Sequence, residues 1–270
     1  MNCFFDCRQH LRSCAVALAL GMASGPVAAA KAPRSVPLDD RLVYDISWLG
    51  VHCGEMTLES APVEGSPALV RMLMTVRTSE FFDGIYKVRA EIESIYNIRR
   101  GSTRTYHERS SEQGKTKDDL WRVNLRARKA YRTLNGRQQV FDLPEGGGHD
   151  PLAMLYRLRA LATEPGEELT ITVITTQGSV EARASVERWE RFETSSGEVT
   201  ALKVVQQAVG DGEFGRGGGM TMWLGSDRKR TPYRIEFDLP FGSLVAELSE
   251  EGDAEPAAAD PAPVDAPENY

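Results

Sequence analysis

The sequence predicts an all-β fold, mainly antiparallel, arranged as an open barrel, β-roll or sandwich, with one short helix near residues 151–162. Three observations predict it. Residues 85–98, IYKVRAEIESIYNI, put Tyr86, Val88, Ala90, Ile92, Ser94, Tyr96 and Ile98 on one parity. Lys87, Arg89, Glu91, Glu93 and Asn97 take the other, with Ile95 the exception. A period of two marks a long strand with one wet face. Second, turn residues punctuate the chain at Gly65-Ser66-Pro67, Asp83-Gly84, Asn135-Gly136, Ser196-Gly197 and Gly225-Ser226-Asp227. Asn-Gly between two alternating runs predicts a hairpin across Tyr131–Val140. Third, a single segment, HDPLAMLYRLRALA, has helical spacing.

In chain order, the first thirty residues are expected to be a cleaved export signal. Arg8 and Arg12 supply a positive start, Cys14 to Ala30 is apolar, and Ala28-Ala29-Ala30 offers a small-residue cleavage site. The run is too short and small-sided for a membrane span. Cys14 precedes the apolar run, whereas a lipidated cysteine would follow it. The expected location is periplasmic. Cys53 is then the one thiol of the mature body, which excludes an internal disulfide and favours a buried, inert role.

The body, residues 31–249, is expected to be one strand-rich domain. It starts with LVYDISWLG, where Leu42, Tyr44, Ile46 and Trp48 alternate. Further strands are expected at 54–60, 68–78, 102–109, 118–124, 128–134, 137–142, 168–176, 179–192, 199–209, 219–225, 232–239 and 243–249. In the helix, Asp150 is a good N-cap and Pro151 sits where its missing N–H costs nothing. A lone amphipathic helix among strands is expected to plug an open end. FDLPEG at Phe141–Gly146 and FDLPFG at Phe237–Gly242 share turn chemistry, with Pro second and Gly fourth. Residues 250–270, EEGDAEPAAADPAPVDAPENY, are expected to form a disordered acidic tail. The whole chain carries −7, the leader +1 and the tail −7, so the body carries −1.

In MTMWLGSDRKRTPYRIEFDLPFGSLVAEL, the expected reading is strand, exposed turn, strand. Trp223 is expected to pack inward, Asp227 to bond the turn backbone and Pro232 to open the next strand. The rival reading makes Trp223 and the 228–230 cations a ligand lip.

Four segments, LVYDISWLGVHCGEMTLES, HDPLAMLYRLRAL, ERFETSSGEVTALKV and MWLGSDRKRTPYRIEFDLPFGSLVAEL, occur in one order over Asp40 to Leu248. On these segments the chain resembles the exported bacterial proteins grouped as domain of unknown function 3108. Cys53 departs from the resemblance, which implies a small residue such as Ala before Gly54. The resemblance implies a periplasmic, strand-rich domain with no established reaction and no catalytic residues to carry over.

The sequence has no Gly-x-Ser-x-Gly elbow, His-Glu-x-x-His, Cys-x-x-Cys or phosphate-cradling Gly-x-x-x-x-Gly-Lys-Ser/Thr loop. No cofactor, metal or catalytic residue is expected. GRGGGM at 215–220 reads as a hairpin connection. His52 and Cys53 in a regular strand would point to opposite faces. Binding is better supported. Arg99 to Arg137 holds twelve Lys or Arg against Glu108, Glu112, Asp118 and Asp119. Tyr106, Trp121 and Tyr131 are interleaved with them. The expected ligand-binding residues are Arg122, Arg126, Arg128, Trp121, Tyr131 and Trp223. The expected partner is an anionic or amphipathic envelope molecule, a lipid or glycolipid, held where apolar strand faces form a cavity under a basic rim, and not nucleic acid. The alternatives are an enzyme on an envelope glycan or lipid, needing two carboxylates or a carboxylate with His107 or His149, and a scaffold for another envelope protein. The plain reading of the cations is as solvated strand faces. The acidic tail is a candidate competitor for the basic region.

Overall fold

The computed structural model describes residue 38 and residues 40–175, 178–194, 197–207, 219–239 and 242–254. Residues 1–37, 39, 176–177, 195–196, 208–218, 240–241 and 255–270 lie outside them.

Alternating sequence becomes one sheet of fourteen strands. The first arm is β1 (Asp40–Trp48), β2 (Val51–Val63), β3 (Ser66–Thr78), β4 (Val88–Asn97), β5 (Ser102–Glu112), β6 (Lys115–Asn124), β7 (Lys129–Leu134) and β8 (Arg137–Asp142). The second is β9 (Glu168–Thr175), β10 (Gly178–Thr194), β11 (Gly197–Gln206), β12 (Met220–Gly225), β13 (Pro232–Leu239) and β14 (Gly242–Gly252). Each arm is an antiparallel meander, and pairing of β1 with β14 joins them in the middle. β14 continues through Glu250 and Glu251, which pair with Val43 and Leu42, before the tail begins. β8 and β9 are the two edges, and α2 (Pro151–Leu161) connects them across the inner face.

The period of two sorts the faces. Leu42, Tyr44, Met56, Leu58, Met72, Tyr96, Trp121, Met222, Leu224 and Ile235 point inward into one core with Leu152, Leu155, Tyr156 and Leu158 of α2. Ile95, the exception to its strand's alternation, belongs to a small outer cluster with Val63 and Leu69. Trp223 alternates with buried Met222 and Leu224 and therefore faces outward, correcting the inward expectation.

The strand directions define two rims. The termini rim holds the start of β1, the end of β14 and the β2–β3, β4–β5, β6–β7 and β12–β13 turns. The far rim holds the β1–β2, β5–β6, β7–β8 and β13–β14 turns and a short helix α1 (Glu80–Asp83) between β3 and β4. Sequence spacing missed α1, whose segment was read as a turn entering a strand at residue 85. Ser79 caps it, its hydroxyl accepting from Phe82 N at 3.3 Å.

α2 fills the inside at the termini rim, as expected of a plug. Its capping carboxylate, Asp150, accepts from Ala153 N at 2.9 Å and from the hydroxyls of Ser94 (2.5 Å) and Thr103 (2.6 Å). At its other end, fully buried Arg159 reaches Asp40 at the start of β1 (2.6 Å) and the Lys229 carbonyl of the β12–β13 turn (3.2 Å). One helix thus ties β4 and β5 to the meeting point of the two arms. Among the described residues, no helix is long and apolar enough to cross a membrane.

Candidate functional site: a basic rim

Two neighbouring turns on the termini rim place four arginines together. In the β4–β5 turn, Asn97 Oδ1 accepts from the backbone N–H of Arg99 (3.1 Å) and Arg100 (3.0 Å), and Gly101 has a φ of 65°. The turn backbone is satisfied locally, so both guanidinium groups stay exposed to solvent. In the β6–β7 turn, Asn124 does the same for Ala127 N at 3.0 Å, leaving Arg126 and Arg128 exposed. Arg128 Nε donates to the Leu143 carbonyl at 3.3 Å.

One loop braces both turns. After β8 the chain runs through Leu143–Asp150, where Gly147, at φ 79°, packs against Leu125 of one turn and Ser102 beside the other. Ser102 Oγ donates to Gly148 O (3.0 Å) and accepts from Gly148 N (3.2 Å), and Thr103 N donates to the same carbonyl (3.0 Å). His149 then pairs in parallel with Val173 of β9. Its backbone N–H donates to Thr172 O at 2.9 Å, and Ile174 N donates to its carbonyl at 2.8 Å. The loop is a seam between the first arm and the β9 edge. The His149 ring lies 3.0 Å from the Tyr96 hydroxyl and 3.1 Å from Thr172 O. Burial pushes its pKa down to about 4, so near neutral pH it is an uncharged strut.

Among the described residues, Arg99, Arg100, Arg122 and Arg126 stand outside every ion pair. Of the other cations of this stretch, Lys129 pairs with Asp142 (2.6 Å), Lys117 with Glu108 (3.0 Å), Arg109 with Glu91, and buried Arg132 with Asp119 through two bonds of 2.7 and 2.6 Å, while Lys115 and Arg137 are exposed at turns of the far rim. The local excess of positive charge thus resolves into internal pairs, two exposed cations at the far rim and a group of arginines at and beside the termini rim.

Of the sequence-expected ligand residues, the structure brings four together. Arg126 and Arg128 lie in the turn. Arg122 is on the outer face of β6, directly opposite Tyr131, which is opposite Val140. Tyr131 and Val140 are 38% and 55% exposed, so this row adds apolar surface next to the cations. Trp121 does not join them. Period two turns it inward, where it stacks on Phe141 (5.8 Å) beneath Arg132 (5.2 Å). Trp223 is eight strands away in the sheet order and is engaged in its own outer cluster. Its indole donates to Glu190 at 2.8 Å, with Arg234 and Lys203 over the ring at 5.3 and 5.9 Å. The nearby turn behaves as expected, Asp227 accepting from Thr231 N at 3.1 Å. Its cations divide: Arg228 and Lys229 face out, while Arg230 is buried on the Thr163 carbonyl at 3.0 Å. Arg99 and Arg100 were missed as site residues, although adjacent arginines before Gly-Ser at a strand end were a readable signal.

Chemically, the rim offers guanidinium forks that suit phosphate or carboxylate groups. Among the described residues, His107, His52 and Cys53 lie away from the rim arginines. His107 Nε2 lies 2.9 Å from Asp118 Oδ1, on the open outer face. Cys53 is buried with its pKa raised by desolvation, and His52 is exposed on the opposite face.

The fold has relatives among solved structures. The crystal structure of a beta-barrel-like protein of domain of unknown function DUF1849 from Brucella abortus matches with a TM-score of 0.54 at 12% identity, covering 82% of this chain and 99% of that one. The hypothetical protein CT021 from Chlamydia trachomatis matches with a TM-score of 0.36 at 12% identity, covering 83% and 92%. A search of curated proteins gives no match. The family model described as protein of unknown function (DUF3108) matches residues 43–249, nearly the whole sheet from β1 to β14, and the chain belongs to that family.

Proposed function

We propose that this protein is a non-catalytic, periplasmic component of the cell envelope that binds an anionic amphipathic molecule, a lipid or glycolipid, at the basic rim. The observation that carries the reading is the set of unpaired arginines held in two turns by one loop, bordered by the Arg122–Tyr131–Val140 row. Guanidinium groups would take the charged head, and the exposed apolar row would take part of the chain. The inner face next to the rim is occupied by α2, which favours binding on the outside of the sheet. The export-signal pattern of residues 1–30 supports the envelope location.

The test is native mass spectrometry of the protein purified from its own cell envelope, followed by organic extraction of the bound species. An anionic lipid or glycolipid should co-purify with the native chain and be lost from Arg99→Glu/Arg126→Glu. A clean unliganded mass under conditions that preserve non-covalent complexes would refute the reading.

A further inference from the structure

We infer that the acidic segment 253–270 docks on the basic rim and competes there with the anionic ligand; the competition rests on the reading of the rim given above. β14 starts at the far rim and finishes at the termini rim, with Gly252 opposite Arg41. The segment therefore leaves the sheet on the rim that carries Arg99, Arg100, Arg126 and Arg128. It contains Asp253, Glu255, Asp260, Asp265 and Glu268 and no basic residue. Asp253 already faces a cation of this rim, 3.7 Å from Lys229 Nζ.

Reach is sufficient. From β14 to β4 is four steps in the sheet order and to β6 six steps. At ~4.8 Å per step these are arcs of about 19 and 29 Å. Residues 255–270 span up to ~53 Å when extended and about 20–24 Å as a coil. Charge sets the direction. Straddling β14 itself, the outer face has a depression lined by Asp45, Glu193 and Glu247, which repels an acidic segment, and the β12–β13 turn on the second arm offers two cations, Arg228 and Lys229, beside Asp227. Toward the first arm, the acids of the exposed turns are Glu64 and Glu145, against four arginines. A short tether holds the segment at an effective concentration of roughly millimolar, so weak ion pairing is enough to populate the contact. Such pairing is screened by salt, with a Debye length of about 8 Å at physiological ionic strength.

The experiment uses residues 31–270, which keep every described residue, with a nitroxide on Asn269→Cys; buried Cys53 does not compete for the label. Paramagnetic broadening should appear at the amides of residues 98–101 and 125–128 and be absent from 49–51, 113–114 and 135–136 on the far rim. It should vanish at high salt and in Glu255→Gln/Asp260→Asn/Asp265→Asn/Glu268→Gln. Broadening confined to the β12–β13 turn or to residues 31–39, or spread evenly over both rims, would overturn the docking. A second arm removes residues 255–270, leaving β14 intact, and measures binding to phosphatidylglycerol/phosphatidylcholine vesicles. The shortened chain should bind roughly three- to tenfold more tightly at low salt. Equal affinity overturns the competition. Absence of vesicle binding by both forms refutes the lipid reading of the rim and the competition with it, while docking is decided by the paramagnetic result.

Discussion

Replacing Arg159 with leucine should cost more stability than any other single change at the helix–sheet junction. The guanidinium is fully buried; Nη2 donates to Asp40 (2.6 Å) and to Lys229 O (3.2 Å), and Nε donates to Arg230 O (3.4 Å). Burial works against its charge, and Asp40 more than offsets that, so its pKa is raised. Leucine fills much of the volume but leaves the Asp40 carboxylate buried without its counter-charge, beside the Ser60 hydroxyl that donates to it (2.5 Å). Stranding one member of a buried pair costs ~3–5 kcal/mol. The two turn carbonyls add roughly 1 kcal/mol more. With a slope of ~3 kcal/mol per molar urea, the unfolding midpoint should fall by about 1–2 M. Adding Asp40→Ala removes the stranded charge, so the double variant should be more stable than Arg159→Leu, with a coupling of ~2 kcal/mol or more. A loss below ~1 kcal/mol for Arg159→Leu, or additive single effects, would refute the reasoning.

Other outcomes follow from the seam. The folded pKa of His149 is about 4 against an ordinary value of 6.5, so the unfolded chain binds the extra proton between these pH values. Stability should be full above pH 6.5 and fall by up to ~3 kcal/mol as the pH drops to about 4, a slope that His149→Gln should flatten in urea melts. An unchanged slope would place the titration elsewhere. Gly147→Ala puts a Cβ into Leu125 and Ser102 at a φ of 79° and should cost at least ~2 kcal/mol. Hydrogen exchange at Gly148 and His149 should rise; unchanged exchange would mean that the loop does not hold the seam.

The strand pattern was legible because one face of almost every strand is buried, so apolar and polar residues alternate. α1 was not, since four residues show no helical period and the signal lies in the Ser79 cap and in Asp83, which bonds Arg89 through two contacts of 2.9 and 2.6 Å. Trp223 was assigned to the wrong face because Met220, Met222, Trp223 and Leu224 are all apolar, and only Glu190, Arg234 and Lys203, distant in sequence or on the neighbouring strands, fix its side. Trp121 and Arg122 are adjacent in sequence, and strand parity alone puts them on opposite faces. The basic stretch was visible, but its division into paired and unpaired cations was not, because that depends on Asp119 meeting Arg132 and on one loop joining two turns. The rim depends on the order of strands, which composition does not contain.

The most direct test of the basic rim is equilibrium binding of residues 31–254 to phosphatidylglycerol/phosphatidylcholine vesicles, comparing the native rim with Arg99→Glu/Arg126→Glu at low and high salt. At ~1 kcal/mol per cation near an anionic surface, the reversed rim should bind at least ~30-fold more weakly, with an unchanged melting temperature because neither arginine has a partner to lose. Native binding should itself weaken as salt rises. Equal binding by the two forms, or binding insensitive to salt, would contradict the account.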